Sequence, residues 1–202
     1  MKSDRTLVAL LTGVAVVFVW SGWHPLDRLT WALEVFPVVI AVPLLLATRR
    51  RFPLTILSYW LIAIHATILM VGGKYTYAEV PLFDWIRDAC HLSRNHYDRV
   101  GHFAQGFVPA IVAREILLRK TALRPGHWLF FLVTCVCLAI SAVYELIEWG
   151  TAQATGSAAD AFLGTQGDLW DTQKDMLLAG IGAILGQLTL AKTQDQQLSD
   201  LD

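Results

Sequence analysis

Long apolar stretches alternate with short polar ones along the whole chain. Six runs stand out, at about 6–23, 31–47, 54–72, 100–118, 128–149 and 173–191. A helix crossing a bilayer needs roughly 17–25 mostly apolar residues, and each run meets or approaches that length. The second is the shortest and holds Pro37 and Pro43, which neighbouring helices in a membrane bundle tolerate. The pattern predicts an all-α, polytopic membrane helix bundle of six transmembrane helices. A single transmembrane domain covers residues 1–192, and a polar cytoplasmic tail, disordered by its composition, covers 193–202. Lys2 and Arg5 followed by an apolar run resemble a secretion signal. Ser21-Gly22-Trp23-His24-Pro25 is a poor small-x-small cleavage site, however, so the run reads as a retained first helix.

The polar connections orient the bundle. Lys2, Arg5, Arg49, Arg50, Arg51, Arg119, Lys120, Arg124 and Lys192 fall on one side, with Arg114 near the same end of the fourth run. Arg28, Lys74, Arg87, Arg94, Arg99 and Lys174 fall on the other. Short basic loops stay cytoplasmic, so both termini are expected inside. Trp20, Trp23, Trp31, Trp149 and Trp170 then lie near the outer interface, where amphipathic rings settle. The longest outer loop, about 73–99, contains Val80-Pro81-Leu82-Phe83-Asp84-Trp85-Ile86-Arg87-Asp88. That segment suits a short amphipathic helix on the membrane surface, or a lid folded over the outer mouth. Arg49-Arg50-Arg51 is a topology signal first and a contact for anionic lipid second.

Composition agrees and narrows the function classes. Of 202 residues, 55% are hydrophobic and 16% charged, against about 25% charged in soluble domains; the mean hydropathy is +0.48. A net charge of -1 with no large basic patch argues against a nucleic-acid partner. Cys90, Cys135 and Cys137 match neither a zinc ribbon nor a disulfide framework, and the last two, inside an apolar run, read as buried small apolar residues. No nucleophile elbow, Walker loop, Rossmann fingerprint or His-Glu-x-x-His motif occurs.

Candidate chemistry gathers at the outer ends of the last three runs. Asp98 and His102 are four apart and share a helical face; Glu145 and Glu148 are three apart and share another. Asp168, Asp171 and Asp175 follow the same rule if their stretch is helical. Topology puts all three sets at one depth, and carboxylates within spanning segments usually face a cavity or a partner. A divalent cation is one reading, held by His102, Glu145, Glu148, Asp171 and Asp175, with Asp98 and Asp168 as additional or orienting ligands. Such an ion could activate water or clamp a phosphate. Coupled carboxylates working as acid and base, with Glu145 and Glu148 as the catalytic candidates, are a second reading. A third is structural: the groups pair with one another and cap helices, as Asp168 or Asp171 could do. Tyr97 or Tyr144 could donate hydrogen bonds. Glu34 could join the cluster or face water. His65 reads as a packed core histidine, and Lys74 as an interfacial anchor.

The stretches Gly72-Gly73-Lys74-Tyr75-Thr76-Tyr77, Asn95-His96-Tyr97-Asp98-Arg99-Val100-Gly101-His102-Phe103, Tyr144-Glu145-Leu146-Ile147-Glu148-Trp149 and Gly164 to Asp175 resemble the YjdF-like family of bacterial inner-membrane proteins. The resemblance covers nearly the whole chain. It implies an inner-membrane location and no established activity. The last three runs are more distantly similar to VanZ-like proteins, which are linked to glycopeptide resistance. Asp98, His102 and Phe103, then Glu145, then Asp171 followed by Gly180, Gly182 and Gly186 carry that similarity. Arg99 stands where that pattern has Lys; Glu148 and Asp175 stand where it has Gln and Asn, and the basic residue usual in the loop before Asp171 is missing, which makes this site more acidic. The expected function is a divalent-cation-dependent protein acting on, or binding, an envelope lipid or lipid-linked headgroup. The alternatives are a cation- or proton-coupled transporter, and a non-catalytic scaffold using the three glycines for close helix contacts.

Overall fold

The computed structural model describes residues 2–155 and 165–201, so Gly164 lies outside the described residues. Among them are seven α-helices and no strand: α1 (Lys2–Gly22), α2 (Arg28–Thr48), α3 (Ile56–Lys74), α4 (Pro81–Ala89), α5 (Tyr97–Lys120), α6 (His127–Thr155) and α7 (Asp171–Ser199). Five of these, α1, α2, α3, α6 and α7, are long and apolar enough to cross a membrane. Their outward faces carry large apolar side chains such as Val16, Leu44, Val143 and Leu188, as a lipid-facing surface requires.

The fourth run behaves differently. α5 has 24 residues, about 36 Å at the helical rise, so its length suffices for a span. Its composition does not, because it buries Asp98, His102, Gln105, Arg114 and Glu115. A helix with that many polar groups is stable in an apolar setting only when other helices enclose it. α3, α6 and α7 pack around it, with α7 in the longest contact. Glycine permits that contact: a Cβ at Gly106 would collide with the Ala179 carbonyl, and one at Gly182 with the Phe103 carbonyl. Gly186 also lies against Phe107, whereas Gly180 meets only the Leu138 side chain.

Local chemistry sets the helix ends. The Asp27 carboxylate accepts from Thr30 N at 2.7 Å and starts α2. Thr55 caps α3 by accepting from Ser58 N at 3.3 Å. After α3, Thr76 (φ 53) and Tyr77 (φ 57) are left-handed, a strained choice for side chains of this size. The turn sends the Tyr77 ring back against Gly72 and Gly101, where any Cβ would strike it.

The segment expected as a short amphipathic helix or a lid forms the helix α4 and packs on the bundle. Phe83 packs edge-on against Tyr97 at 5.2 Å, and Asn95 Nδ2 donates to the Val80 carbonyl at 3.1 Å. These hold α4 on the bundle, while Leu82 and Trp85 point outward.

Two expectations fail. The tail from residue 193 is not a disordered extension, because α7 continues to Ser199. Its polar residues are used: Gln194 is buried and donates to the Ile111 carbonyl at 2.7 Å, Asp195 pairs with Arg114, and Gln197 accepts from Leu57 N at 2.9 Å. Cys135 is exposed on the outer face of α6, and only Cys137 packs in the core.

Candidate functional site

Helix ends bring the site together. The N-terminus of α5 supplies Asp98, Arg99, His102 and Gln105, and Arg94 precedes it. The C-terminal part of α6 supplies Tyr144, Glu145 and Glu148. Asp171 and Asp175 open α7, and Asp168 sits in the turn before it. A two-way clamp fixes that turn: Gln166 Nε2 donates to the Asn95 carbonyl at 2.9 Å, and Asn95 N donates to Gln166 Oε1 at 3.0 Å.

The outermost part is an arginine–carboxylate lattice. Arg94 donates to Asp171 at 2.5 Å, to the Thr165 carbonyl at 3.2 Å and to Asp98 at 3.3 Å. Arg99 binds Asp168 at 3.1 Å, and also Asp171 and Asp175. Lys174 reaches Asp168 at 2.6 Å from the solvent side. That ammonium, with a hydrogen bond from Trp170 N, holds the Asp168 carboxyl below the ordinary aspartate range.

Below the lattice lies His102. Its Nε2 is 3.3 Å from Asp98 Oδ1 and 3.8 Å from Asp175 Oδ1. Its Nδ1 faces Glu145 Oε1 at 3.7 Å. Both of those atoms are buried and have no hydrogen-bond partner among the described residues, as is also true of Gln105 Oε1. A small cavity of about 20 Å³ opens beside the imidazole, roughly enough for one water. Glu34, Tyr77, Asp98, His102, Gln105, Tyr144 and Glu148 line it, and the Tyr144 hydroxyl donates to Glu34 at 2.8 Å.

Charge is unevenly compensated. Glu34, Asp98, Glu145, Glu148, Asp171 and Asp175 are all buried. The two arginines and Lys174 serve Asp98, Asp168, Asp171 and Asp175. No ion pair from lysine or arginine reaches Glu34, Glu145 or Glu148 among the described residues. Their polar neighbours are instead the Tyr144 hydroxyl for Glu34 and the His102 imidazole for Glu145, and a buried carboxylate with so little compensation is costly.

All seven acidic and histidine candidates read from the sequence therefore lie at one end of the bundle. His102 gathers Asp98, Asp175 and Glu145 around it, and Asp98, His102 and Asp175 each offer a ligand atom within 4.8 Å of the others. Asp168 and Asp171 instead belong to the arginine lattice. Glu34 joins the cluster. Tyr97 does not, since its hydroxyl donates to the Ile68 carbonyl at 2.9 Å. Lys74 anchors the interface, donating to the Trp23 carbonyl at 2.6 Å. Sequence reasoning missed Arg94 and Arg99 as counter-ions, and Tyr77 and Gln105 as cavity walls. The spacing of Arg94 four residues before Asp98 was the available signal.

An all-helical bundle with five apolar helices long enough to span, three of them packed around a charged, buried α5, defines a multi-pass integral membrane protein. The chain belongs to the family described as "Predicted membrane protein (DUF2238)", whose model matches residues 6–196. It is 53% identical over 199 residues to the inner membrane protein YjdF of Escherichia coli (strain K12), covering 96% of this chain and 95% of that one. No solved structure matches the chain. It is an inner-membrane protein of a family whose description carries no activity.

Proposed function

We propose that the outer site binds a divalent cation and, through it, the anionic headgroup of an envelope lipid or lipid-linked intermediate. In this reading α5 is the sixth span and both termini are cytoplasmic. One observation carries the proposal: His102 Nδ1 and Glu145 Oε1 are buried, unpartnered and 3.7 Å apart. Donors sharing one ion sit roughly 3–4 Å apart, since each lies near 2 Å from the metal. An imidazole with carboxylates suits zinc or manganese, so the residues fit the group. His102, Glu145 and Glu148 would hold it. Asp98 would orient the imidazole from its other nitrogen, as an outer carboxylate commonly does. The opposite face, with Asp98 and Asp175, is less suitable because Arg94 and Arg99 already occupy those carboxylates. A bound ion would supply a Lewis acid and a phosphate anchor. Exposed Trp149, Leu169 and Trp170 border the site and suit a lipid-facing approach.

Elemental mass spectrometry of detergent-purified wild type, His102→Ala and Glu145→Ala tests this. Near-stoichiometric metal in the wild type, lost in both variants while they stay folded, is the expected outcome. Metal-free wild type, purified without chelator and with divalent cations supplied, would remove the reading.

A proton-coupled transporter is favoured by one further observation. His65 lies within α3 with Nε2 unpartnered, deeper than the carboxylates. Flux in reconstituted vesicles, abolished by His65→Ala, would support it. The scaffold reading loses its glycine support, because Gly182 and Gly186 are used against α5 of the same chain.

A further inference from the structure

The opposite end of the bundle carries a much larger opening. A cavity of about 790 Å³ lies among the start of α1, the end of α2, the start of α3 and the end of α7. Its apolar walls include Leu7, Leu46, Ile56 and Leu201, and its polar rim includes Arg49, Arg50 and Tyr59. The size suits a drug-sized or lipid-sized guest rather than an ion.

The charges on that rim identify the guest. Asp4 and Asp200 also line the cavity. Asp4 is taken up by an ion pair with Arg49. Arg50 is exposed and makes no ion pair or hydrogen bond among the described residues, and Arg51 beside it is exposed as well. Two of the first amides of α3 are taken, Leu57 N by Gln197 and Ser58 N by the Thr55 hydroxyl, and Thr55 N before them donates to Glu115. The charged donors of the rim are therefore its arginines. The lining carries two arginines and two aspartates, and with Asp4 paired to Arg49 the Arg50 guanidinium stays open to an anion, while Leu7, Leu46 and Ile56 offer apolar wall to an acyl chain.

Position favours a lipid over a water-soluble anion. The cavity sits where the apolar spans α1, α2 and α3 end, at the level of lipid headgroups. Its floor continues into side chains of the lipid-facing surface, such as Leu46. Basic pockets between spanning helices bind anionic headgroups in this setting.

We propose that this cavity is a binding site for an anionic phospholipid, with the phosphate at Arg50 and one acyl chain along Leu7, Leu46 and Ile56. The Arg49–Asp4 pair forms one wall between the start of α1 and the end of α2. The site is separate from the carboxylate cluster and does not depend on a cation there.

The test uses the full chain in a mild non-ionic detergent. Thermal unfolding is followed while phosphatidylglycerol, phosphatidylcholine or inorganic phosphate is added to wild type, Arg50→Ala and Arg28→Ala. Arg28 is an exposed arginine at the other end of the bundle, without a partner among the described residues. A ligand that binds only the folded state raises the midpoint with concentration. Phosphatidylglycerol should raise the midpoint of wild type and Arg28→Ala by several degrees, and that of Arg50→Ala by less than half as much. Phosphatidylcholine and inorganic phosphate should do little. Equal shifts by phosphatidylcholine would mean apolar filling without headgroup recognition. Equal shifts by inorganic phosphate would mean a small-anion site. An unchanged response in Arg50→Ala would place the lipid elsewhere. Each of these three results overturns the proposal.

Discussion

The two ends of α5 both bury carboxylates, and they treat them in opposite ways. At the C-terminal end, the inner one in the proposed orientation, Glu115 is fully buried. It accepts from Thr55 N at 2.9 Å, the Thr55 hydroxyl at 2.8 Å, the Ser58 hydroxyl at 2.7 Å and Arg119 at 2.9 Å. Arg114 beside it donates to Gln194 at 2.9 Å and to both oxygens of Asp195 at 2.8 and 3.0 Å. Every polar group there has a partner, and the result ties α3, α5 and α7 together. At the outer end carboxylates outnumber permanent cations, and His102 Nδ1 and Glu145 Oε1 face each other unpaired. A satisfied buried network is explained by stability alone. An unsatisfied one costs stability, and the protein keeps it, which is what supports the proposed cation site at the outer end.

Breaking the inner end should have the largest effect. Glu115→Ala leaves Thr55, Ser58 and Arg119 without their acceptor, and breaking a buried pair costs about 3–5 kcal/mol. The unfolding midpoint in detergent should fall steeply, and added divalent cations should not restore it. A loss under about 1 kcal/mol, a typical value for an exposed pair, would mean that the inner network is not a fastening.

Arg99→Ala comes next. It frees Asp168, Asp171 and Asp175 from their shared counter-ion, at a cost of about 3 kcal/mol by the same reasoning. Here divalent cations should recover part of the loss, since they can replace the missing charge. Failure of every cation to do so would weaken the distinction between the ends. Gly106→Ala acts on both at once. Its Cβ would meet the Ala179 carbonyl, and overpacking of this kind costs about 1–3 kcal/mol. Forcing α5 from α7 should lower thermal stability and cation affinity together.

Much of this contrast was legible in the sequence, and its decisive part was not. Apolar runs placed the spans, because a membrane imposes one length on every crossing helix. Depth matching then put Asp98, His102, Glu145, Glu148, Asp171 and Asp175 at one end. Pairing was not legible: whether Arg94 and Arg99 face solvent or insert among carboxylates depends on side-chain reach across α5 and α7. The run at 100–118 looked like an ordinary span, although its polar residues make it the enclosed helix. The tail from residue 193 looked disordered because its polar residues have no apolar period. Its order comes from tertiary partners, Arg114 and Ile111, some eighty residues away in sequence.

A smaller effect sharpens the outer end. Glu145→Gln keeps the shape and removes one negative charge from an overcharged site. Stability without cation should change by less than about 1 kcal/mol, or rise, whereas removal of a ligand should lower cation affinity at least tenfold. Isothermal titration with manganese or zinc, beside a thermal melt, separates the two quantities. A large loss of stability with affinity intact would make Glu145 a structural partner of His102.

The smallest effect belongs to Lys174, on the solvent side of the lattice. Its ammonium is the main reason that the Asp168 carboxyl lies below its ordinary value of 3.8. A carboxyl depressed by folding stabilises the fold above its unfolded value, and that stabilisation is lost as pH falls through the lower folded value. Lys174→Ala should therefore lower the midpoint slightly at neutral pH, and high salt should shrink the difference. As pH drops below the ordinary aspartate range, the two proteins should converge. A difference that persisted at acid pH and in high salt would show that Lys174 acts by packing, and the lattice would then rest on Arg94 and Arg99 alone.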